Sequence, residues 1–518
     1  MALRPDAVTR RLGAIAAALT VAVVLAACLG IALRADPGSG FGPGDWEAIR
    51  FTVFQAFLSA LLSVLLAVPL ARALARRQFF GRGVLVMLLG VPFILPVIVA
   101  VIGLLAVFGR NGWLNTLLSA LGLPEVSIYG LHGVVLAHVF FNLPLATRLV
   151  LQGWQAVPAE RFRLAAQLGL APRAVFRTLE WPILKQVLPG AFALIFVICL
   201  TSFAVALTLG GGPRSTTIEL AIYQTFRYEF DLARAALLSG VQLLLAGGAA
   251  VLALSIMPQV ILGGGMDRPA KRWDAKGGWQ RFGDGAAILL GAAFLLLPLG
   301  AVIGRGLLGV AQMPESVWQA ALITVQVSAL SIVVLLLIAL PMAGWIASRR
   351  AAGVEAIGLL GLSFSPLMIG TGWFILLHPV VDPISLTLPV TALVNALMAL
   401  PFALRIMVPR LRDTLQQFGR LSAGLSLAGW PLWRWVILPR LRPQIGFAAG
   451  LTGALSIGDL GVIALFADPE RATLPLEMYR LMGAYRMEAA AGAALLLLVL
   501  ALVVFWICDK GGRWHADV

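Results

Sequence analysis

One stretch of this chain occurs twice, 257 residues apart, and no other feature restricts the fold as much. The first copy begins at Leu143 as LPLATRLVLQGW and continues, after a short spacer, as RFRLAAQLGLAPRAVFRTLEWPIL. The second begins at Leu400 as LPFALRIMVPRL and continues as GRLSAGLSLAGWPLWRWVILPRL. Without a gap, Pro144 pairs with Pro401, Arg148 with Arg405, Ala166 with Ala423, Arg177 with Arg434 and Pro182 with Pro439. Upstream, at an offset of 272, Phe51-Thr52-Val53 matches Ile323-Thr324-Val325 and Pro69 matches Pro341; downstream, SFAVALTLGG from Ser202 matches DLGVIALFAD from Asp459. The chain therefore reads as two halves, 1–257 and 283–518, joined by a Gly-rich charged linker over 258–282. Whatever one half folds into, the other must fold into as well.

The material between these repeats belongs in a bilayer. Residues are 60% hydrophobic and 12% charged, with a mean hydropathy of +0.94, far from the composition of a soluble domain. Runs long enough to cross a hydrocarbon core, which takes about 20 helical residues, fall at 12–33, 47–75, 84–108, 131–152, 186–209, 233–257, 284–308, 318–347, 353–378, 386–408, 443–467 and 488–508. The expected fold is thus an all-α polytopic membrane protein of about 12 transmembrane helices. These form two tandem parallel six-helix repeats. With a cytoplasmic start, 29 of the 39 Lys and Arg residues fall on the inner side, which predicts cytoplasmic termini and cytoplasmic placement of both repeated loops. The net charge of +15 is then topological, and nucleic acid is not an expected partner.

Cys28, Cys199 and Cys508 each lie in an apolar run, without metal-ligand spacing. Leu25-Ala26-Ala27-Cys28 has the look of a lipoprotein processing site, but the apolar run continues to Leu33, which favours a retained span. In the first repeated loop, Pro158 suits the start of a helix that places Phe162, Ala165 and Ala166 on one face. Gly169 supplies a left-handed stop, and Pro172 opens a second helix expected to end before Pro182. In the second loop Gly429 and Pro431 make the break. Each loop reads as a basic amphipathic helix–turn–helix at the membrane surface, with Arg161, Arg163, Arg173 and Arg177 of the first loop available to water or a partner.

The spacing from Gly169 to Pro182, with Ala165 and Ala166 ahead of it, resembles the EAA loop of ATP-binding-cassette (ABC) importer permeases. In that family the loop forms a coupling helix seated in a groove of a cytoplasmic ATPase. The second copy keeps Leu438-Pro439 and Ala423 but has Ser426 where the glycine is expected, and both copies carry an arginine, Arg163 and Arg420, in place of the acidic residue. That departure puts the usual acidic contact in doubt while leaving the position of the loop. A single chain with two such halves is similar to the fused permeases of thiamine and ferric-iron importers. Several stretches resemble the thiamine permeases in particular, among them YGLHGVVLAHVFFNLPLATRL at 129–149, LGGGPRSTTIELAIYQ at 209–224 and TLPLEMYRLMGAYR at 473–486. The resemblance implies import of thiamine, with its phosphate esters, from a periplasmic binding protein across a bacterial inner membrane. It also implies a separate ABC ATPase, in two copies, that uses ATP and Mg, with no cofactor held by this chain.

For the translocation path the candidates are Asp459, an acid deep in an apolar run, its counterpart Ser202, and the pair His138 and Asn142 on one helix face. The alternative readings of the same residues are interhelical hydrogen bonding and structural burial. No Walker sequence or catalytic constellation stands out, so the chain is not expected to be an enzyme. Ferric iron or an organophosphonate are alternative cargoes on the same architecture. An ion-driven carrier is the rival from another class, disfavoured because Asp459 stands almost alone as an intramembrane acid.

Overall fold

Apolar runs of this length can satisfy their backbone in lipid only internally, and the chain forms helices with no strand among the described residues. The computed structural model describes residues 7–514 apart from 36–40, 91, 93, 257–271, 273–276, 350–353, 355–356, 359–360, 362–363 and 467–470. Most of the expected linker therefore lies outside the described residues.

Up to the linker the helices are α1 (Ala7–Arg34), α2 (Pro43–Arg76), α3 (Arg82–Leu88), α4 (Val97–Phe108), α5 (Trp113–Ala120), α6 (Leu131–Gln155) and α7 (Ala159–Gln167). They continue with α8 (Trp181–Leu200), α9 (Ala204–Leu209), α10 (Ile218–Gln224) and α11 (Leu232–Ile256). After it come α12 (Gly278–Gly309), α13 (Glu315–Arg349), α14 (Pro366–Leu377), α15 (Thr387–Gly424), α16 (Leu438–Ile457), α17 (Gly461–Phe466), α18 (Leu474–Gly483) and α19 (Met487–Arg513). The protein is an all-α polytopic membrane protein. Among the described residues eleven helical stretches are long and apolar enough to cross a membrane, one fewer than expected. The run at 353–378 is the difference: Ser365 caps a fresh helix at Pro366, and the 12 residues of α14 reach only about 18 Å. The run at 84–108 is likewise broken, into α3 and α4.

The repeat is visible in individual hydrogen bonds. Thr52 Oγ1 on α2 accepts from Ile218 N at the head of α10 (2.8 Å), and Thr324 Oγ1 on α13 accepts from Leu474 N at the head of α18 (2.7 Å). Deeper in the helices, Ser59 on α2 meets His138 on α6 at 3.3 Å, while Ser331 on α13 meets Ser456 on α16 at 2.9 Å and Asn395 on α15 donates to the same Ser456 at 3.1 Å. His138 and Asn395 are one repeat apart. The helix packing repeats too: α2 lies against α6 and α8 as α13 lies against α15 and α16, and α8 packs on α11 as α16 packs on α19.

The two segments also interlock. Helix α1 packs on α13 and α14 of the later segment, and α12 packs on α2 and α4 of the earlier one. The first of these contacts is close enough to need glycine: a Cβ on Gly30 would stand 2.4 Å from the Gly372 carbonyl oxygen, and one on Gly372 2.2 Å from that of Ala27. Small residues let helix backbones approach where no hydrophobic effect drives association.

Candidate functional site: two matched loops and two broken helices

The first loop is built on a small core. Phe162 and Ala165 of α7 are buried with Val157 and Val175, and Leu170, Leu179 and Ile183 pack around them. The helix closes with the same geometry in both loops. Gly169 N donates to Ala166 O and Leu170 N to Ala165 O, at 3.0 and 3.1 Å; Ser426 N donates to Ala423 O and Leu427 N to Ser422 O, at 3.1 and 2.9 Å. Gly169 has φ +61 and Ser426 φ +52, so the serine takes the left-handed conformation that its counterpart glycine takes without strain.

Beyond the turn the expected helix end before Pro182 is absent. A helical turn, Pro172–Val175, widens into a π-helical segment at Phe176–Glu180 and runs on into α8. In the other copy Trp430–Leu432 widens at Trp433–Ile437 and runs into α16. The prolines explain the wide turn. Pro182 and Pro439 have no N–H to offer the preceding turn and their rings crowd its carbonyls. A π turn moves those carbonyls away and keeps the helix continuous.

Sequence reasoning missed the most informative surface here. Leu164 and Leu168 are 56% and 66% exposed on the first loop, and their counterparts Leu421 and Leu425 are 60% and 62% exposed on the second. In each loop the pair is spaced i, i+4, on one face of its helix. Arg163 and Arg420 are exposed beside them, while Ala165 and its counterpart Ser422 are buried. Ala166 is half-buried and Ala423 exposed; Pro182 is exposed and Pro439 half-buried. The signal was present in the repeat, but leucines on an interfacial helix ordinarily read as facing lipid or core.

The supports of the two loops differ. Glu180, fully buried, accepts from Arg72 Nε at 2.8 Å, lies 3.6 Å from Arg76 and pairs with Arg272, whose guanidinium also stacks 4.3 Å over the Phe162 ring. Arg77 and Arg76 in turn reach Asp284 on α12, at 2.7 and 3.9 Å. In the second loop the residue at the Glu180 position is Ile437, buried at 3% exposure, and Trp433 Nε1 donates to Thr9 Oγ1 on α1 at 3.4 Å.

Mid-chain in each repeat a helix breaks, α8/α9 at 201–203 and α16/α17 at 458–460. Ser202 and Asp459 lie in these breaks, both half-buried. Asp459 Oδ1 accepts from Gly461 N at 3.1 Å; Oδ2 is buried and has no hydrogen-bond partner among the described residues. Pro96, at the start of α4, and Pro366, at the start of α14, flank the Asp459 break. The break that holds Asp459 is thus packed against the starts of two helices from different halves of the chain. His138 and Asn142 are placed elsewhere, inside the packing of α2, α6 and α8. Beside the Ser59 contact, Asn142 Nδ2 donates to His138 O at 2.8 Å and reaches Cys199 Sγ at 3.4 Å.

Two further contacts between the halves escaped the sequence reading. Glu219, fully buried on α10, accepts from Gln242 Nε2 at 2.8 Å and from Ser365 Oγ, the cap of α14, at 2.8 Å. Nearby, Phe226 stands edge-on to Phe374 with ring centroids 4.5 Å apart, Phe374 lies 5.5 Å from Phe466, and Tyr223 lies 5.3 Å from Phe203. These residues come from six separate segments of the chain, which is why no linear motif announces them.

Two interlocked repeats, each with a broken helix and a surface loop of the same shape, are features of the whole chain, and so is its similarity to known proteins. No family model matches the sequence. The thiamine transport system permease protein of Escherichia coli K12 is 40% identical over 520 residues, covering 96% of each chain. That of Brucella abortus 2308 is 38% identical, covering 96% of this chain and 94% of the relative, and that of Haemophilus influenzae 33%, covering 88% and 87%. At such identity from end to end, the chain belongs to the family of thiamine transport system permeases.

Proposed function

We propose that this chain is the membrane-spanning permease of an ATP-driven ABC importer that carries thiamine, and its phosphate esters, from a periplasmic binding protein to the cytoplasm. The observation that carries the reading is kinship over nearly the whole chain with proteins named for thiamine transport. The ferric-iron and organophosphonate alternatives are not favoured by it. On this reading the chain sits in a bacterial inner membrane with both termini cytoplasmic, halves 1–257 and 283–518 flank the path, and ATP is hydrolysed by two copies of a separate ATPase.

The matched leucine pairs support a docking role for the loops. Each pair offers an apolar anchor on a polar helix, the kind of feature that carries binding energy in a groove, and arginines surround it where the family has an acid. ATPase closure would draw the loops together. The π turns would pass that movement to α8 and α16 as rigid bodies, opening the path outward. Asp459, aided by Ser202, would receive the cationic thiazolium ring between the halves. Its bare Oδ2 supports this, since an unpartnered carboxylate oxygen at membrane depth is costly without a ligand. His138 and Asn142 would act by holding α6 to α2 and α8.

The test is uptake of labelled thiamine into proteoliposomes holding this chain, its ATPase and its binding protein. Accumulation that requires ATP and the binding protein and survives an ionophore is the expected result. Uptake that needs no ATP and is abolished by ionophore would replace the importer with an ion-driven carrier.

A further inference from the structure

A groove of about 750 Å³ opens between α3 with its leading turn and the outer face of α12. One end is polar, formed by Arg77, Gln78 and Arg281; the rest is apolar, with Phe80, Leu88 and Ile288 among the walls. Its lining holds two guanidinium groups and no carboxylate among the described residues. The groove faces outward: α12 is the least buried of the eleven candidate spans, Phe80 is fully exposed and Leu289 is 69% exposed. It lies at the same membrane surface as the first loop, since Arg76 bridges from Asp284 beside the groove to Glu180 of that loop.

We propose that this groove binds an anionic glycerophospholipid, its phosphate between Arg77 and Arg281 and an acyl chain along α12. The division of the lining matches such a ligand: a basic mouth at the level of the headgroups and an apolar channel running toward the bilayer core. Arg77 is arranged to donate. Asp284 fixes its Nε at 2.7 Å, which orients the guanidinium, and Nη2 is left buried with no hydrogen-bond partner among the described residues. Arg281 is exposed at the same mouth, so a phosphate there meets two guanidinium groups beside the Asp284 carboxylate, and a zwitterionic lipid would bring its own cation to a site of net positive charge. Small residues keep the channel open. A Cβ on Gly285 would meet nothing within 4 Å, so the space beside it is available to an acyl chain.

The test is native mass spectrometry of the full chain, titrated in detergent with phosphatidylglycerol or with phosphatidylcholine. Phosphatidylglycerol is expected to be retained about tenfold better. Arg281→Gln, which leaves the Arg77–Asp284 pair in place, should lower that retention several-fold, and Arg77→Gln with Arg281→Gln about tenfold or more. Gly285→Phe should also displace the lipid, although every charge remains. Arg110→Gln, at an arginine 87% exposed away from the groove, should change nothing. Equal retention of the two lipids would overturn the proposal. So would unaltered phosphatidylglycerol binding in Gly285→Phe, or displacement of the lipid by inorganic phosphate alone, which would reduce the site to one for a bare anion.

Discussion

Leu164 and Leu168 on the first loop and Leu421 and Leu425 on the second are presented alike on unlike supports. The first pair sits on a separate nine-residue helix, α7, cut from α6 at Pro158 and held down by Glu180 with Arg72, Arg76 and Arg272. The second pair sits at the end of the unbroken 38-residue α15, which passes through Pro401 and Pro409, and its base is apolar, with Ile437 in place of the glutamate. What the two copies share is therefore the outer surface and the turn geometry, and what they have lost in common is the means of support. Features kept by both copies are the ones a paired partner would read.

The largest effect is expected from removing that shared surface. Leu164→Ala with Leu168→Ala, or Leu421→Ala with Leu425→Ala, should each cost about 2–4 kcal/mol of ATPase binding, as buried apolar anchors do. All four together should abolish thiamine uptake. ATPase retained on the purified permease is the direct readout. If one pair proves dispensable while the other is essential, the loops are not equivalent docking elements and the comparison breaks.

The supports should separate next. Glu180→Ala strands buried arginines and should lower stability by about 3 kcal/mol or more, with Glu180→Gln costing nearly as much because shape is not what matters there. Ile437→Ala opens a cavity worth about 2–3 kcal/mol, whereas Ile437→Val should cost about 1. Thermal melting of the four variants in detergent decides the point, since tolerance of Glu180→Gln would mean that the first loop is not held by charge.

The broken helices offer the same contrast at membrane depth. Asp459→Asn keeps the side-chain shape and removes the charge, and it should slow thiamine uptake about tenfold, the loss expected for one ionic contact to a cation. Ser202→Ala should have a much smaller effect. Uptake by both variants, normalised to ATPase bound, measures the asymmetry; equal effects would place the cation elsewhere.

The repeat and the apolar runs were legible because each is written in contiguous residues. The span count was not. A hydropathy run over 353–378 carries no mark of how Ser365 and Pro366 restart the helix, so a broken segment looks like a crossing one. The exchange of α1 and α12 between the halves and the Glu180–Arg72 pair join residues far apart in sequence, and no spacing rule reaches across such distances. Asp459 stood out as a lone acid, but Glu219 did not, because nothing in IELAIYQ tells that its carboxylate meets Ser365 of the other half.

The smallest effect comes from the turn itself, and it tests whether the two loops share a backbone by necessity. Ser426 holds φ +52 where Gly169 holds φ +61. An L-residue in this region crowds its Cβ against the backbone at a cost of about 1 kcal/mol, which glycine escapes. Ser426→Gly should therefore stabilise the second loop, by somewhat less than that because glycine also loosens the unfolded chain. Gly169→Ser should destabilise the first by about 1 kcal/mol. No heavy atom lies within 4 Å of a Cβ built at Gly169, so a loss there reports backbone strain and not a clash. Melting temperatures that move in opposite directions for the two substitutions would establish that the left-handed turn is a requirement of the loop's shape; a Gly169→Ser variant as stable as its parent would show that the first loop can close in another way.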